Sequence, residues 1–134
     1  MAIITVTATI GKEHYKTDLH YKDLHLIADE QKENGGEGLG PDPSGLLASA
    51  LASCTAITLR MYADKKEYHV EKIEVEIAFT KKDINGVTHS LFVRKIRITG
   101  NISDDERLRL LAIADKCPTH KILSGEIVIT TTIE

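Results

Sequence analysis

Residues 42–66 read DPSGLLASALASCTAITLRMYADKK, a stretch that predicts one long helix from Pro43 to about Lys66. Asp42 can accept the free N–H groups of the first turn, and proline is favoured at the first helical position. Apolar or small residues occupy nearly every side of the first four turns, which is typical of a helix buried all round. We expect a homodimer to enclose this helix, because one small sheet cannot cover all of its sides.

Strand patterns precede this helix. β-branched residues alternate over 3–10, and shorter runs at 13–20 and 24–28 predict two further strands of the same antiparallel meander. Residues 32–41 are rich in glycine and predict a loop.

A hairpin pattern follows the helix. Over 71–79 the large apolar residues Ile73, Val75, Ile77 and Phe79 alternate with Lys72, Glu74, Glu76 and Ala78, and a return strand is predicted at about 88–99. Asn85-Gly86 lies between them and is a strong signal for a tight hairpin turn.

The last part of the chain predicts a second helix and a final strand. The helix should begin at Ser103 with a capping box and end near Cys117, because the residue before a proline is biased away from helix. A strand pattern follows Gly125. The predicted order is therefore βββ-α-ββ-α-β, an α+β fold with antiparallel sheets in a single domain, 1–134.

Composition argues against several classes of protein. The chain has 42% hydrophobic residues, 28% charged residues and a net charge of −3, so it lacks the basic surface that nucleic-acid binding requires. The N-terminus carries no secretory signal pattern, and the apolar run 45–59 is shorter than the ~20 residues that cross a bilayer. We expect a cytoplasmic protein with neither a nucleic acid nor a membrane as partner.

The two cysteines are the candidate reactive residues. Cys54 lies within the long helix, at helical spacing from Leu47, Leu51, Thr58 and Met61. Cys117 ends the second helix, at helical spacing from Leu110, Ile113 and Ala114. Inert packing is the commonest role of such thiols, and Cys54 is too far from its helix start for the helix dipole to activate it. A reactive Cys54 would need a cation or a hydrogen-bond donor that the fold brings to it.

A metal site is a further possibility. Cys117 and His120 have the spacing of a ligand pair, and Cys54 could be a third ligand. Zinc sites usually contain two closely spaced pairs, and only one is present, so we expect no metal. No nucleophile elbow, phosphate-binding loop or zinc-protease helix motif occurs either.

Two motifs resemble the OsmC/Ohr family, named for osmotically inducible protein C and organic hydroperoxide resistance. The first comprises His25–Glu30, Gly35–Pro43 and Leu46–Thr55, and the second is Ala114–Lys121. Their order and spacing are similar to those of the family over almost the whole chain.

The resemblance implies an intertwined homodimer and a thiol peroxidase that works without metal, flavin or other cofactor in oxidative-stress defence. By analogy, Cys54 would attack an organic hydroperoxide as thiolate and become a sulfenic acid. Cys117 would then form a disulfide with it, which an external thiol or dithiol would reduce. The alternative is a redox sensor or hydrophobic-ligand binder that shares the scaffold without turning over.

The chain departs from the family pattern at two positions that matter for activity. Strongly active members carry a glutamate where this chain has Ser44, and an arginine in the N-terminal half, whereas no arginine precedes Arg60 here. We therefore expect a divergent OsmC-like branch. Four residues are candidates for the missing cation, and for each a solvated surface charge is the more common role: Arg60, Arg94, Arg97 and Lys121.

Overall fold

Antiparallel strands and helices make up the structure, a computed structural model that describes residues 2–134. This confirms the α+β class with antiparallel sheets. The chain divides into two compact units, the first ending at Leu47 and the second beginning at Ala48, and each contains one sheet. The expectation of one domain over 1–134 stays a prediction.

The first unit is built on a three-stranded antiparallel meander. Its strands are β1 (Thr7–Thr9), β2 (Thr17–Tyr21) and β3 (Leu24–Ala28), in the order β1-β2-β3. The third strand lies where it was predicted, and the first two are shorter than predicted. β1 pairs Thr7 with His20, and β2 ends at Tyr21 before the chain turns at Lys22, with φ of 54°. The described residues before Val6 therefore have no strand segment opposite them.

A buried carboxylate, Asp29, follows β3 and organises the next loop. Its Oδ1 accepts the N–H groups of Tyr15 at 3.1 Å and Glu30 at 2.8 Å. Its Oδ2 accepts those of Glu37 at 3.3 Å and Leu39 at 3.1 Å. Burial raises the pKa of Asp29, but the four N–H donors outweigh burial and hold the pKa below its ordinary value of 3.8.

The predicted loop 32–41 is ordered around this carboxylate. It contains a one-turn 3-10 helix, Lys32–Asn34, that ends at Gly35 with φ of 92°. At Gly36 a Cβ would lie 2.0 Å from the Glu30 carbonyl oxygen, so a side chain there would force the loop away from its anchor.

Replacement of Asp29 by asparagine should lower the thermal midpoint at neutral pH, because the amide group would face N–H donors that need an acceptor. The folded-state pKa of Asp29 lies below the unfolded value, so its stabilisation is complete above that value and is lost as pH falls through the folded pKa. The thermal midpoints of wild type and Asp29→Asn should therefore converge in strong acid. Glu33→Gln, an exposed change in the same loop, is the control. Equal midpoints of all three proteins at pH 7 would contradict this role of Asp29.

The long helix α1 (Pro43–Lys65) confirms the central prediction to within one residue. Asp42 caps it as expected: its Oδ1 accepts the N–H of Gly45 at 2.8 Å, and its carbonyl accepts that of Leu46. Proline occupies the first helical position, where no N–H is needed.

Burial of α1 differs from the expectation of a helix enclosed on all sides. Only one stripe at four-residue spacing is buried, consisting of Leu51, Thr55, Leu59 and Ala63. Ile57 and Met61 on the other side are 54% and 68% exposed. A single chain supplies cover for one face of the helix, so the remaining apolar surface is left in contact with solvent.

By length and composition, α1 is the one helix in residues 2–134 that could cross a membrane, with a mean hydropathy of 1.4 over 18 residues. The helix extends beyond the apolar run 45–59 by less apolar turns. Core helices of soluble proteins meet the same criterion. The absence of a membrane partner stays a prediction.

The second sheet is a hairpin of β4 (His69–Ile84) and β5 (Val87–Asn101). Asn85 and Gly86 connect the strands with φ of 51° and 79°, the backbone of a type I′ turn. The hairpin is confirmed where it was predicted and extends beyond both predicted strands. Leu59 and Ala63 of α1 belong to one buried cluster with residues of this hairpin and of the following helix, namely Val70, Leu110, Ile113 and Ala114.

The helix α2 (Asp104–Ala114) begins with the predicted capping box. Ser103 Oγ accepts the Glu106 N–H at 3.1 Å, and the Glu106 carboxylate accepts the Ser103 N–H at 2.9 Å. Three residues after α2, a short helix α3 (Pro118–Ser124) begins, which sequence patterns did not predict. Pro118 interrupts one helix and starts the next, since proline lacks an N–H but fits the first helical position.

The final strand predicted after Gly125 is absent from the described residues. The tail 126–134 is without regular secondary structure, although it keeps its apolar alternation and exposes Ile127, Ile129 and Ile133. A strand requires a neighbour to accept and donate its backbone hydrogen bonds, and no strand of residues 2–134 lies beside this tail. The order within the described chain is therefore βββ-α-ββ-α-α.

Candidate functional site

The two cysteines lie at sites of different exposure. Cys54 occupies the middle of α1 and is half-buried, whereas Cys117 is fully buried in the corner between α2 and α3. Both are free thiols. The predicted neighbours of Cys117, namely Leu110, Ile113 and Ala114, are buried with it.

The apolar stripe predicted around Cys54 is only partly correct. Leu51 is buried and Thr58 is half-buried, but Leu47 and Met61 are exposed. Cys54 therefore lies at the margin of the buried stripe of α1, with one side open.

The fold brings the two cysteines together. The Cys117 thiol lies close enough to Cys54 to lower the pKa of the Cys54 thiol. The backbone N–H of Thr119, in the first turn of α3, donates to Cys54 Sγ at 3.5 Å. The corner between α2 and α3 thus places the second thiol and a backbone donor at the first thiol.

Hydrogen bonds change the acidity of Cys54. Burial by itself raises the pKa of a thiol, but donors from Cys117, from the side chain and backbone of Thr119, and from the Thr58 hydroxyl act in the other direction. Together they hold the pKa of Cys54 below its ordinary value of 9.0. A larger share of Cys54 is therefore thiolate, the nucleophilic form, than in a free cysteine.

Among the four cation candidates, Arg94 is distinguished by its burial and its partners. Its side chain is 14% exposed and donates to Thr55 Oγ1 at 3.1 Å, to Asp115 Oδ1 at 3.0 Å and to His120 Nδ1 at 3.1 Å. Each of these partners lies within three residues of Cys54 or Cys117 in sequence.

The other three candidates lie elsewhere. Arg60, 39% exposed, binds Asp64 and the Val70 carbonyl, while Arg97, 80% exposed, binds Glu74. Lys121 is exposed. The signal for Arg94 was present in the sequence: it shares strand parity with Phe92 and Ile96, so alternation places it on the inward face of β5.

The geometry around Cys117 does not form a metal site. Residues 2–134 contain no group of three or more His, Cys, Asp or Glu side chains that could hold a metal ion. His120, which forms the candidate ligand pair with Cys117, uses Nδ1 to accept a hydrogen bond from Arg94. The expectation that the protein uses no metal stays a prediction.

A cavity of about 360 Å³ adjoins Arg94 and His120. Its other lining residues are mostly apolar, and they come from α1, β5 and α3: Leu51, Ser90, Leu91, Phe92, Leu123 and Ser124. Leu51 is one helical turn before Cys54, although neither cysteine lines the cavity. Apolar walls with a few polar groups are typical of small-molecule sites.

The family model for OsmC-like proteins matches residues 35–132, a range that includes both cysteines and the α2–α3 corner. The chain belongs to the OsmC-like protein family. The resemblance inferred from the sequence motifs is thus confirmed.

Solved structures of the family share the fold of this OsmC-like chain. An OsmC-like protein from Mycoplasma pneumoniae has a TM-score of 0.78 at 19% identity, covering 92% of this chain and 89% of that one. An organic hydroperoxide resistance protein from Legionella pneumophila has a TM-score of 0.68 at 21% identity, with coverages of 93% and 91%. One from Elizabethkingia anophelis has a TM-score of 0.70 at 20% identity, with coverages of 93% and 90%. No curated protein matches the chain.

Alkylation tests the environment of Cys54. We expect iodoacetamide to modify Cys54 before the buried Cys117, as followed by mass spectrometry. The rate of Cys54 alkylation should rise with pH with a midpoint below that of a free cysteine. Thr58→Val removes one donor and should raise that midpoint. Ser53→Ala, which removes a neighbouring hydroxyl bonded only to the Ala50 carbonyl, should leave it unchanged. A Cys54 midpoint at or above that of a free cysteine would contradict the proposed hydrogen-bonded thiolate.

Proposed function

We propose that this chain is a thiol-dependent peroxidase that reduces organic hydroperoxides in oxidative-stress defence, with Cys54 as the attacking thiol and Cys117 as the resolving thiol. The observation that carries the proposal is the meeting of the two thiols, distant in sequence, at a point where donors favour the Cys54 thiolate. Membership of the OsmC-like family supports it, since structural neighbours include organic hydroperoxide resistance proteins.

In the first step, the Cys54 thiolate attacks the terminal peroxide oxygen. A sulfur–oxygen bond forms, the O–O bond breaks, and the alkoxide leaves and takes up a proton to become an alcohol. Cys54 is then a sulfenic acid, oxidised by two electrons. The half-exposed position of Cys54 gives the peroxide access to the sulfur.

In the second step, the Cys117 thiol condenses with the sulfenic acid. A sulfur–sulfur bond forms and water leaves, which carries away the oxygen taken from the peroxide. An external dithiol then reduces the disulfide by exchange and is itself oxidised, which returns both thiols. Cys117 is fully buried, so the reductant should attack at Cys54.

The cavity beside Arg94 and His120 supports an organic substrate over hydrogen peroxide. Leu51, Leu91, Phe92 and Leu123 give it largely apolar walls, which would hold the hydrocarbon part of the substrate. No residue in this proposal requires a cofactor, and the location we propose is the cytoplasm.

Cysteine substitutions test the reaction. With cumene hydroperoxide and a dithiol, Cys54→Ser should abolish peroxide consumption. Cys117→Ser should reduce turnover by ~10-fold or more, because no thiol is held beside the sulfenic acid, and dimedone should label Cys54. Ser53→Ala should behave as wild type. Consumption by Cys54→Ser equal to that by wild type would overturn the assignment of the attacking thiol.

A redox sensor or hydrophobic-ligand binder is the second candidate. It is favoured by Ser44, an exposed hydroxyl where active members of the family carry a glutamate. Mass spectrometry after one equivalent of peroxide separates the cases: a stoichiometric disulfide without turnover favours the sensor, and unoxidised cysteines with a filled cavity favour the binder.

We also propose a homodimer that covers the exposed side of α1. Ile57 and Met61 on that side are exposed, and so are the alternating isoleucines of the tail at 127, 129 and 133. Apolar surface arranged in this way is typical of protein interfaces, and a twofold axis would bring two copies of α1 together.

Sedimentation should give about twice the chain mass of 14.8 kDa. Ile57→Asp should shift the protein towards monomer, because it places a charge at the centre of the proposed interface. Leu24→Asp, at a similarly exposed leucine that begins β3, is the control. A wild-type chain that sediments as a monomer would rule out the dimer.

A further inference from the structure

The Arg94 side chain connects three separate elements of the second unit. It extends from β5, where it pairs across the hairpin with Ile77, and its guanidinium contacts Thr55 of α1. The same group contacts Asp115 and His120 on the two sides of the α2–α3 corner.

Each of these contacts constrains a backbone segment next to a cysteine. Thr55 directly follows Cys54 in the chain. Asp115 lies two residues before Cys117, and His120 lies directly after Thr119, whose N–H donates to Cys54. The guanidinium therefore holds the corner at both ends against the middle of α1.

The partners of Arg94 are themselves fixed in orientation. The buried Thr55 hydroxyl donates to the Leu51 carbonyl at 2.7 Å, which leaves its oxygen free to accept from Arg94. His120 accepts at Nδ1, so the proton of the neutral ring lies on Nε2. Asp115 is largely exposed, so its ion pair is screened by solvent and the two less exposed contacts matter more.

We propose that Arg94 is a positioning residue of the thiol pair: by linking Thr55 to the α2–α3 corner, its guanidinium holds Cys117 and Thr119 against Cys54. Arg94 takes no part in bond making or breaking. Its effect is to keep the two sulfurs close enough for the disulfide to form quickly after Cys54 is oxidised. The inference rests on the proposed pairing of the thiols, and it adds a residue that the family motifs do not contain.

Arginine suits this role where lysine does not. A guanidinium offers five N–H donors in a fixed plane and can hold several acceptors at once, while an ammonium group is a compact point charge on a flexible stem. A lysine at this position would keep the positive charge but could not reproduce the three contacts. Arg94→Lys therefore separates positioning from simple charge.

The test measures the equilibrium constant for reduction of the Cys54–Cys117 disulfide by glutathione. Each protein disulfide that is reduced takes two electrons and two protons from two glutathione thiols, which become one glutathione disulfide. We expect Arg94→Gln to lower the effective concentration of one thiol at the other by ~10-fold, since misplacement by about 1 Å can cost a comparable or larger factor. Arg94→Lys should give nearly the same loss.

Arg97→Gln is the matched control, because Arg97 lies on the same strand but is exposed and bound to Glu74. It should leave the equilibrium unchanged. Thermal melts check that each variant is folded. If Arg94→Gln does not fold, Thr55→Val replaces it: this change removes the acceptor on α1 while Arg94 stays in place, and Thr55→Ser should behave as wild type.

The proposal would be overturned if the folded Arg94→Gln variant, or Thr55→Val where Arg94→Gln does not fold, had the same glutathione equilibrium as wild type. It would also be overturned if Arg94→Lys had the wild-type equilibrium, or if Arg97→Gln lowered the effective concentration as much as Arg94→Gln. Because the glutathione equilibrium needs no peroxide, it remains informative if wild type fails to consume hydroperoxides. Failure of the peroxidase activity and failure of Arg94 as a positioning residue are therefore distinguishable.

Discussion

The packing of one stripe of α1 against α2 and the hairpin determines where the chemistry can occur. Leu59 and Leu110, both without exposed surface, belong to the same buried cluster, which attaches α2 to the C-terminal half of α1. Because α2 is fixed there, the corner that follows it has to lie close to the preceding turn of α1. Cys54 is in that turn, and Cys117 is in that corner. The hydrophobic core thus brings together two thiols that are far apart in the sequence and whose spacing does not predict that they meet.

The acidity of Cys54 results from a balance between opposite effects. A half-buried thiol without donors would be less acidic than a free cysteine, and neither the helix dipole nor a glutamate–arginine pair is in a position to reverse this. Thr58 belongs to α1, whereas Cys117 and Thr119 belong to the corner, and together they donate to the sulfur. This explains how Cys54 can be activated although Ser44 occupies the glutamate position of the family. Cys117 and Thr119 act on the sulfur only while the corner stays in place, so the stability of the corner and the acidity of the thiol are coupled.

Features that depend on neighbouring residues in sequence could be predicted, and features that depend on distant contacts could not. The extent of α1, the Ser103 capping box and the Asn85-Gly86 turn are specified by local backbone preferences, and all three were predicted correctly. The tail after Gly125 has a strand pattern, but a pattern cannot supply the neighbouring strand. Pro118 indicates the end of a helix but is equally suited to begin one, so the sequence pattern alone does not predict α3. Both cysteines and Arg94 were among the candidates, yet what distinguishes Arg94 is a set of partners from three elements. Only its strand parity was visible in the sequence.

The difference in exposure between the two cysteines orders the proposed steps in time. Cys54 keeps some exposed surface that a hydroperoxide could reach, whereas Cys117 has no exposed surface and is protected from direct oxidation. Oxidation should therefore begin at Cys54, and Cys117 should react only with a sulfenic acid already next to it. In the proposed reaction the same asymmetry should limit overoxidation, because a sulfenic acid next to a thiol can condense with it before a second peroxide arrives. Protection of this kind requires the corner to be rigid rather than mobile. A cluster of hydrogen bonds around a largely buried guanidinium provides such rigidity, which is why the environment of Arg94 is as important to the proposed chemistry as the acidity of Cys54.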